Sequence, residues 1–129
     1  MLDKALAHPT VFVRDLERAR AFYETLGLTV ASEVSTGIFM TAGHGTLFPL
    51  IHRADAQPPS HTIAAFQVED LSAVVASLRG RGIVFEEYDS PGLRTVDGIA
   101  DMGDYHAAWL RDPDGNFIGI HDPPRAAGT

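Results

Sequence analysis

The sequence predicts an α+β fold assembled from two copies of one β-α-β-β-β module. It matches itself at an offset of 55 residues, where Val13, Asp15, Leu16 and Gly27 recur as Val68, Asp70, Leu71 and Gly82. In both copies the Asp follows an apolar-rich alternating run and opens a stretch of helical periodicity, and the Gly closes it. Further alternating runs follow each helix.

In the first copy Val11 and Val13 alternate with Thr10 and Phe12, the mark of a strand with one buried face. Asp15 is placed to N-cap a helix over Leu16–Leu26, with Leu16, Ala19, Phe22, Tyr23 and Leu26 on one stripe. Gly27 then takes the left-handed position that ends it. Strands are expected over Leu28–Val34, Gly37–Thr41 and Thr46–His52. Arg53–Ser60, with Pro58-Pro59, has the composition of a linker.

The second copy repeats the order. Ala64, Phe66 and Val68 alternate with Ile63, Ala65 and Gln67, and Asp70 caps a helix over Leu71–Arg81 that Gly82 stops. Strands are expected over Ile83–Tyr88, Ala107–Arg111 and Asn116–His121, the last two joined by the turn Asp112-Pro113-Asp114-Gly115. Asp89–Asp104 reads as one long irregular loop, a kind of segment that often carries function. The modules then run from about residue 5 to 53 and 61 to 122 within a single domain, 1–129.

Composition narrows the partners. The chain is 45% hydrophobic and 21% charged, the balance of a globular domain. Lys plus Arg number 10 against 17 Asp plus Glu, a formal charge of −7 that repels phosphate backbones and anionic lipid, so neither nucleic acid nor a membrane is an expected partner. The absence of cysteine removes disulfides, thiolate metal sites and cysteine nucleophiles. No apolar run approaches the ~18 residues of a membrane helix, and no basic region precedes an apolar stretch at the N-terminus, so the expected location is the cytoplasm.

The duplicated modules, the phrase Phe12-Val13-Arg14-Asp15-Leu16 leading to Ala21-Phe22-Tyr23 and Leu26-Gly27-Leu28, and the closing Trp109-Leu110-Arg111-Asp112-Pro113-Asp114-Gly115-Asn116 resemble the vicinal oxygen chelate superfamily. That group contains glyoxalase I, bleomycin-resistance proteins and extradiol dioxygenases. The resemblance implies modules that curl a mixed sheet around a cleft, a homodimer, and, in metal-dependent members, ligands on the first and fourth strands.

Those ligand positions can be counted out. The first-strand ligand lies seven residues before the helix-opening Asp, which gives His8 in the first copy and Ile63 in the second. The last-strand ligand lies three residues after the turn Asn, which gives Gly119, and the matching first-copy position is Pro49. Of these, only His8 is a metal ligand by chemistry. A displaced site would draw on His8, His61 and His121, because alternation sets His61 on the face of Ile63 and His121 on that of Gly119. His61 and His121 each stand two residues, about 6.5 Å, from the usual position. His52 has the opposite parity to Pro49.

The expected ligand face comprises Thr10, Phe12, Ile63, Ala65, Gln67, Ala107 and Trp109, apolar with a few hydrogen-bonding groups. The same side chains would also serve simply to close the sheet. Trp109, the single Trp, and Tyr88 offer flat contact area, or Trp109 is a plug. Glu87, in the run Glu86-Glu87-Tyr88-Asp89, is a candidate general base or part of a solvated acidic face. Arg14 and Arg94 are candidates for holding a substrate carboxylate.

The expectation from sequence is therefore a protein that sequesters an apolar or aromatic small molecule, with the acidic loop closing over it and no cofactor. The alternative is a divalent-metal-dependent lyase, isomerase or ring-cleaving dioxygenase built on displaced histidines. A metal-free enzyme using Glu87 or a loop Asp, and an assembly module without a ligand, are further alternatives.

Overall fold

In the computed structural model, which describes residues 1–125, Asp15 and Asp70 each open a helix as their spacing predicts. The Asp15 carboxylate accepts from the Arg18 N–H at 3.1 Å, and the Asp70 carboxylate from the Ala73 N–H at 3.1 Å. Each cap satisfies a backbone donor that the first helical turn leaves without an intrahelical partner. Gly27 and Gly82 follow the helix ends with φ of +106° and +90°, a conformation in which a Cβ is strained. The chain divides into two units, Met1–Pro58 and a second beginning at Pro59.

The first unit contains β1 (Val11–Val13), α1 (Leu16–Thr25), β2 (Thr29–Val34), β3 (Gly37–Thr41) and β4 (Leu47–His52). The sheet order is β1-β4-β3-β2, with β1 parallel to β4 and the other pairs antiparallel. Alternation sends Val11, Val13, Ile38, Met40, Phe48 and Leu50 into the core, where α1 adds Ala19 and Tyr23. The Tyr23 ring lies 4.9 Å from that of Phe48. Burying each of these larger side chains contributes about 1.5–3 kcal/mol.

The second unit contains β5 (Thr62–Gln67), α2 (Leu71–Gly80), β6 (Asp89–Ser90), β7 (Leu93–Val96), β8 (Ile99–Asp101), β9 (His106–Arg111) and β10 (Phe117–His121). Its sheet order is β5-β10-β9-β8-β7-β6, with β5 parallel to β10. Leu71, Val75 and Leu78 of α2 are buried, as are Ala108 and Leu110 of β9 and Ile118 and Ile120 of β10. The architecture is α+β, as the sequence predicts. No helix among the described residues is long and apolar enough to cross a membrane.

Two expectations for the second unit are corrected. Asp89–Asp104 is not an irregular loop but three short strands joined by tight turns. Asp97 and Gly98, with φ of +51° and +79°, form the two-residue connection between β7 and β8, where Val96 pairs with Ile99. Positive φ at both positions matches the right-handed twist of the flanking strands, and Asp-Gly is well suited to it. Ile83–Tyr88, expected as a strand, retains a single bridge from Phe85 to Leu110, with the Glu86 N–H donating to the Trp109 carbonyl at 2.8 Å. It cannot extend further along β9, because β8 occupies the other half of that edge through Ala100–Ala107 and Asp101–His106.

The β9–β10 turn is organised by a buried carboxylate. Asp112 Oδ1 accepts from the N–H groups of Asp114 and Asn116, both at 2.9 Å, and Oδ2 accepts from the Asn116 side-chain amide at 2.9 Å. Asp112, Asp114 and Asn116 are all buried. Replacing Asp112 by Ala leaves these donors without that carboxylate and is expected to cost roughly 2–3 kcal/mol. Urea unfolding checks this, and a loss below about 0.5 kcal/mol, the range of an ordinary surface change, would contradict the role.

Candidate functional site

In the second unit the side of the sheet away from the buried Ala108, Leu110, Ile118 and Ile120 is nearly flat at its centre, because β10 carries Gly119 there. Gly119 pairs with Ala65 of β5 on one side and Trp109 of β9 on the other. A Cβ built on Gly119 would stand 3.6 Å from Trp109 Nε1, 3.6 Å from Ala65 Cβ and 3.4 Å from Thr62 Cγ2. The indole therefore leans over the glycine, and Trp109 remains partly exposed.

Tyr88 meets Trp109 edge-on, with ring centroids 5.7 Å apart and planes at 84°. Its backbone is held by Thr95, whose hydroxyl accepts the Tyr88 N–H at 2.8 Å and whose N–H donates to the Tyr88 carbonyl at 2.9 Å. Burial raises the Tyr88 hydroxyl above its ordinary pKa of 10.0, and the nearby Glu86 carboxylate adds to the shift while Arg111 opposes it. Glu86 forms an ion pair with Arg111, whose guanidinium lies 4.8 Å from the Phe117 ring centroid. This charged and aromatic margin was not identified from sequence, since Glu86 and Arg111 are distant in the chain and meet through the 85–110 bridge.

The first unit presents Phe12, Phe39, Pro49 and Ile51 on its non-core face, with Phe12 paired to Ile51 and Phe39 to Pro49. Phe12 is 41% exposed, and the Arg53 guanidinium lies 5.2 Å from its ring centroid. Thr10 is exposed just before β1. His8 stands edge-on to Phe39 at 6.4 Å, and its Nδ1 lies 2.8 Å from the Pro9 carbonyl oxygen. It also lines a small cavity of about 130 Å³ with Leu6, His44 and Leu47.

The other candidates are placed differently from one another. A bulge in β5 pairs Thr62 with Phe117 and Ala64 with Ile118, leaving Ile63 as the extra residue. The bulge reverses alternation before Ile63, so Thr62 lies beside Gly119, and His61 is exposed in the bend before β5. His121 pairs with Gln67 and Ala107, but its Nδ1 lies 2.7 Å from the Asp122 carbonyl oxygen and its ring abuts Tyr105. Gln67 is exposed and Ala107 is buried. Glu87 accepts the Gly98 N–H at 2.6 Å, so its carboxylate is committed to the β7–β8 turn. Arg94 is paired with Asp89 at 2.9 Å.

Tested against the metal positions that the family resemblance implies, these residues do not fit. The first unit supplies His8, with the buried Pro49 at its other position. The second supplies Ile63 and Gly119, and any side chain grown from Gly119 starts against the Trp109 indole. Within neither unit do three metal-ligating His, Asp or Glu side chains converge among the described residues.

A model of the glyoxalase/bleomycin resistance protein/dioxygenase superfamily matches residues 5–120. No curated protein matches the chain. Among solved structures, the bleomycin resistance determinant encoded on transposon Tn5 is 19% identical with a TM-score of 0.72, over 92% of this chain and 98% of that one. An antibiotic-binding protein from Streptomyces sp. CB03234 is 27% identical with a TM-score of 0.66, over 95% and 98%. A fosfomycin resistance protein from Listeria monocytogenes is 16% identical with a TM-score of 0.67, over 93% of each chain.

The environment of Tyr88 is open to titration. Its folded pKa is raised, so the folded state favours the neutral phenol; the resulting stabilisation is complete below the ordinary value and is lost as pH climbs through the raised one. Phenolate absorbance should contain a component that titrates above the ordinary value and that Tyr88→Phe removes. A late component that is the same in the parent and in Tyr88→Phe would contradict the packing.

Proposed function

The chain belongs to the glyoxalase/bleomycin resistance protein/dioxygenase superfamily, and we propose that it works as a binding protein that sequesters an apolar or aromatic small molecule without the superfamily's metal chelate. The observation that carries this reading is the pairing of Gly119 with Trp109 at the position where the resemblance implies a ligating carboxylate. Glycine removes the donor and leaves room beside a large aromatic face.

In this reading Tyr88 and Trp109 provide the stacking wall, Ala65 and Gly119 the floor, and Thr62 a hydroxyl at its side. Ile63 and Gln67 add contacts there, Thr10 and Phe12 offer a contact surface within the first unit, and the protein acts as a homodimer. A largely apolar surface with a few hydrogen-bonding groups is the usual make-up of a small-molecule site. The net charge of −7 favours a cationic ligand over an anionic one. Similarity to a bleomycin resistance determinant and to an antibiotic-binding protein supports the same class of activity.

Two measurements test this. Proflavine, a planar cation, should quench the fluorescence of the single Trp saturably, and Trp109→Ala should weaken its binding about tenfold by calorimetry. Unchanged affinity in the variant would remove Trp109 from the site. Elemental mass spectrometry of protein prepared without chelators, and after incubation with zinc, nickel, manganese or ferrous iron, should find substoichiometric metal. Near-stoichiometric metal that is lost in His8→Ala would overturn the reading in favour of a metal-dependent enzyme.

A further inference from the structure

The second unit also holds a histidine gripped by a carboxylate beside open cavities, on residues separate from the Trp109 platform. The chain leaving β10 returns beside the start of β9. There Asp122 Oδ1 accepts the His106 backbone N–H at 2.6 Å, Oδ2 lies 3.0 Å from the His106 Nδ1, and the Asp122 N–H donates to the His106 carbonyl at 3.1 Å. A carboxylate only accepts, so Nδ1 carries the proton in this pair and Nε2 of the neutral ring is left as an acceptor. The His106 backbone N–H holds the Asp122 carboxyl below its usual range, which keeps that partner ionised.

The imidazole is 48% exposed and lines two cavities. One, of about 670 Å³, is walled by Leu93, Arg94, Val96, Ile99 and Asp101. The other, of about 220 Å³, is walled by Glu69, Asp70, Ser72, Ile99 and Asp122. Val96 and Ile99 pair across β7 and β8 as an apolar strip, Arg94 lies on the same face of β7 with its guanidinium held by Asp89 at 2.9 Å, and the carboxylates around the ring disfavour an anionic substrate. In the larger cavity, with no cysteine in the chain and the Ser90 hydroxyl donating to the Leu93 carbonyl at 3.4 Å, water is the nucleophile the arrangement suits.

We propose that His106, positioned by Asp122, is a general base for hydrolysis of an uncharged or cationic ester whose acyl group lies on Val96 and Ile99. A water molecule gives its proton to Nε2 as its oxygen bonds to the carbonyl carbon, and the π electrons move onto the carbonyl oxygen. The C=O bond re-forms, the bond to the leaving oxygen breaks, and the proton on Nε2 passes to that oxygen. Ester and water become acid and alcohol, and the imidazole is returned neutral. His106 is the catalytic residue and Asp122 a positioning residue.

The test is release of p-nitrophenolate from p-nitrophenyl acetate by the full chain near neutral pH. The expected result is saturable hydrolysis that falls about a hundredfold in His106→Gln. Asp122→Asn should lower the rate and move the midpoint of its pH profile, with Asp122→Glu recovering both. His44→Asn, in the first unit, should leave the rate unchanged. Circular dichroism confirms the fold of each variant, and His106→Asn replaces the glutamine variant if that one does not fold. A rate in the His106 variant within about twofold of the parent, or a parent rate no faster than equimolar imidazole, would overturn the proposal.

Discussion

The Asp112 carboxylate sits in a buried turn, and the register of β9 against β10 depends on how its two oxygens are occupied. Oδ1 gathers two backbone N–H groups and Oδ2 a side-chain amide, all within the five residues that reverse the chain. A buried charge is tolerated because these donors replace water. The turn thereby sets which residue of β9 faces which residue of β10, and a slip of one position would exchange the two faces of the sheet.

Both chemical features of the second unit follow from that register. Counted from the turn, Arg111 meets Phe117, Leu110 meets Ile118, and Trp109 meets Gly119, which lays the indole over a position without a side chain. Continued to the far end of the pair, His121 meets Ala107, and the next residue, Asp122, comes beside His106. The aromatic platform and the His–Asp pair are therefore separated along one ladder. Their side chains share no hydrogen bond through which altering one would directly alter the other.

The two copies of the module have kept their frame and changed what they display. Each retains an Asp-capped helix, a positive-φ glycine and a first strand parallel to the last. Where the second places Trp109 against Gly119, the first places Phe39 against Pro49. The second unit also adds the β6–β8 hairpins, whose walls form the larger cavity beside His106. Duplication preserved the hydrogen-bonded skeleton because every strand and cap depends on it, while the face turned away from the helix was free to diverge.

The helices and most strands were legible in the sequence because their causes are local: apolar spacing, an Asp at the N-cap, a Gly at the end, alternation along a strand. The resemblance to the vicinal oxygen chelate superfamily was legible for the same reason, since its motifs lie in those caps and turns. Tertiary structure alone decided the rest. β8 competes with Ile83–Tyr88 for one edge of β9, a bulge at Ile63 brings Thr62 beside Gly119, and Gly98 captures the Glu87 carboxylate. His106 and Asp122 are 16 residues apart and meet only through strand pairing. Periodicity reports which way a side chain points relative to its neighbours in the chain; which non-local partner takes a free strand edge or a free carboxylate is settled only when all competitors are present in the folded state.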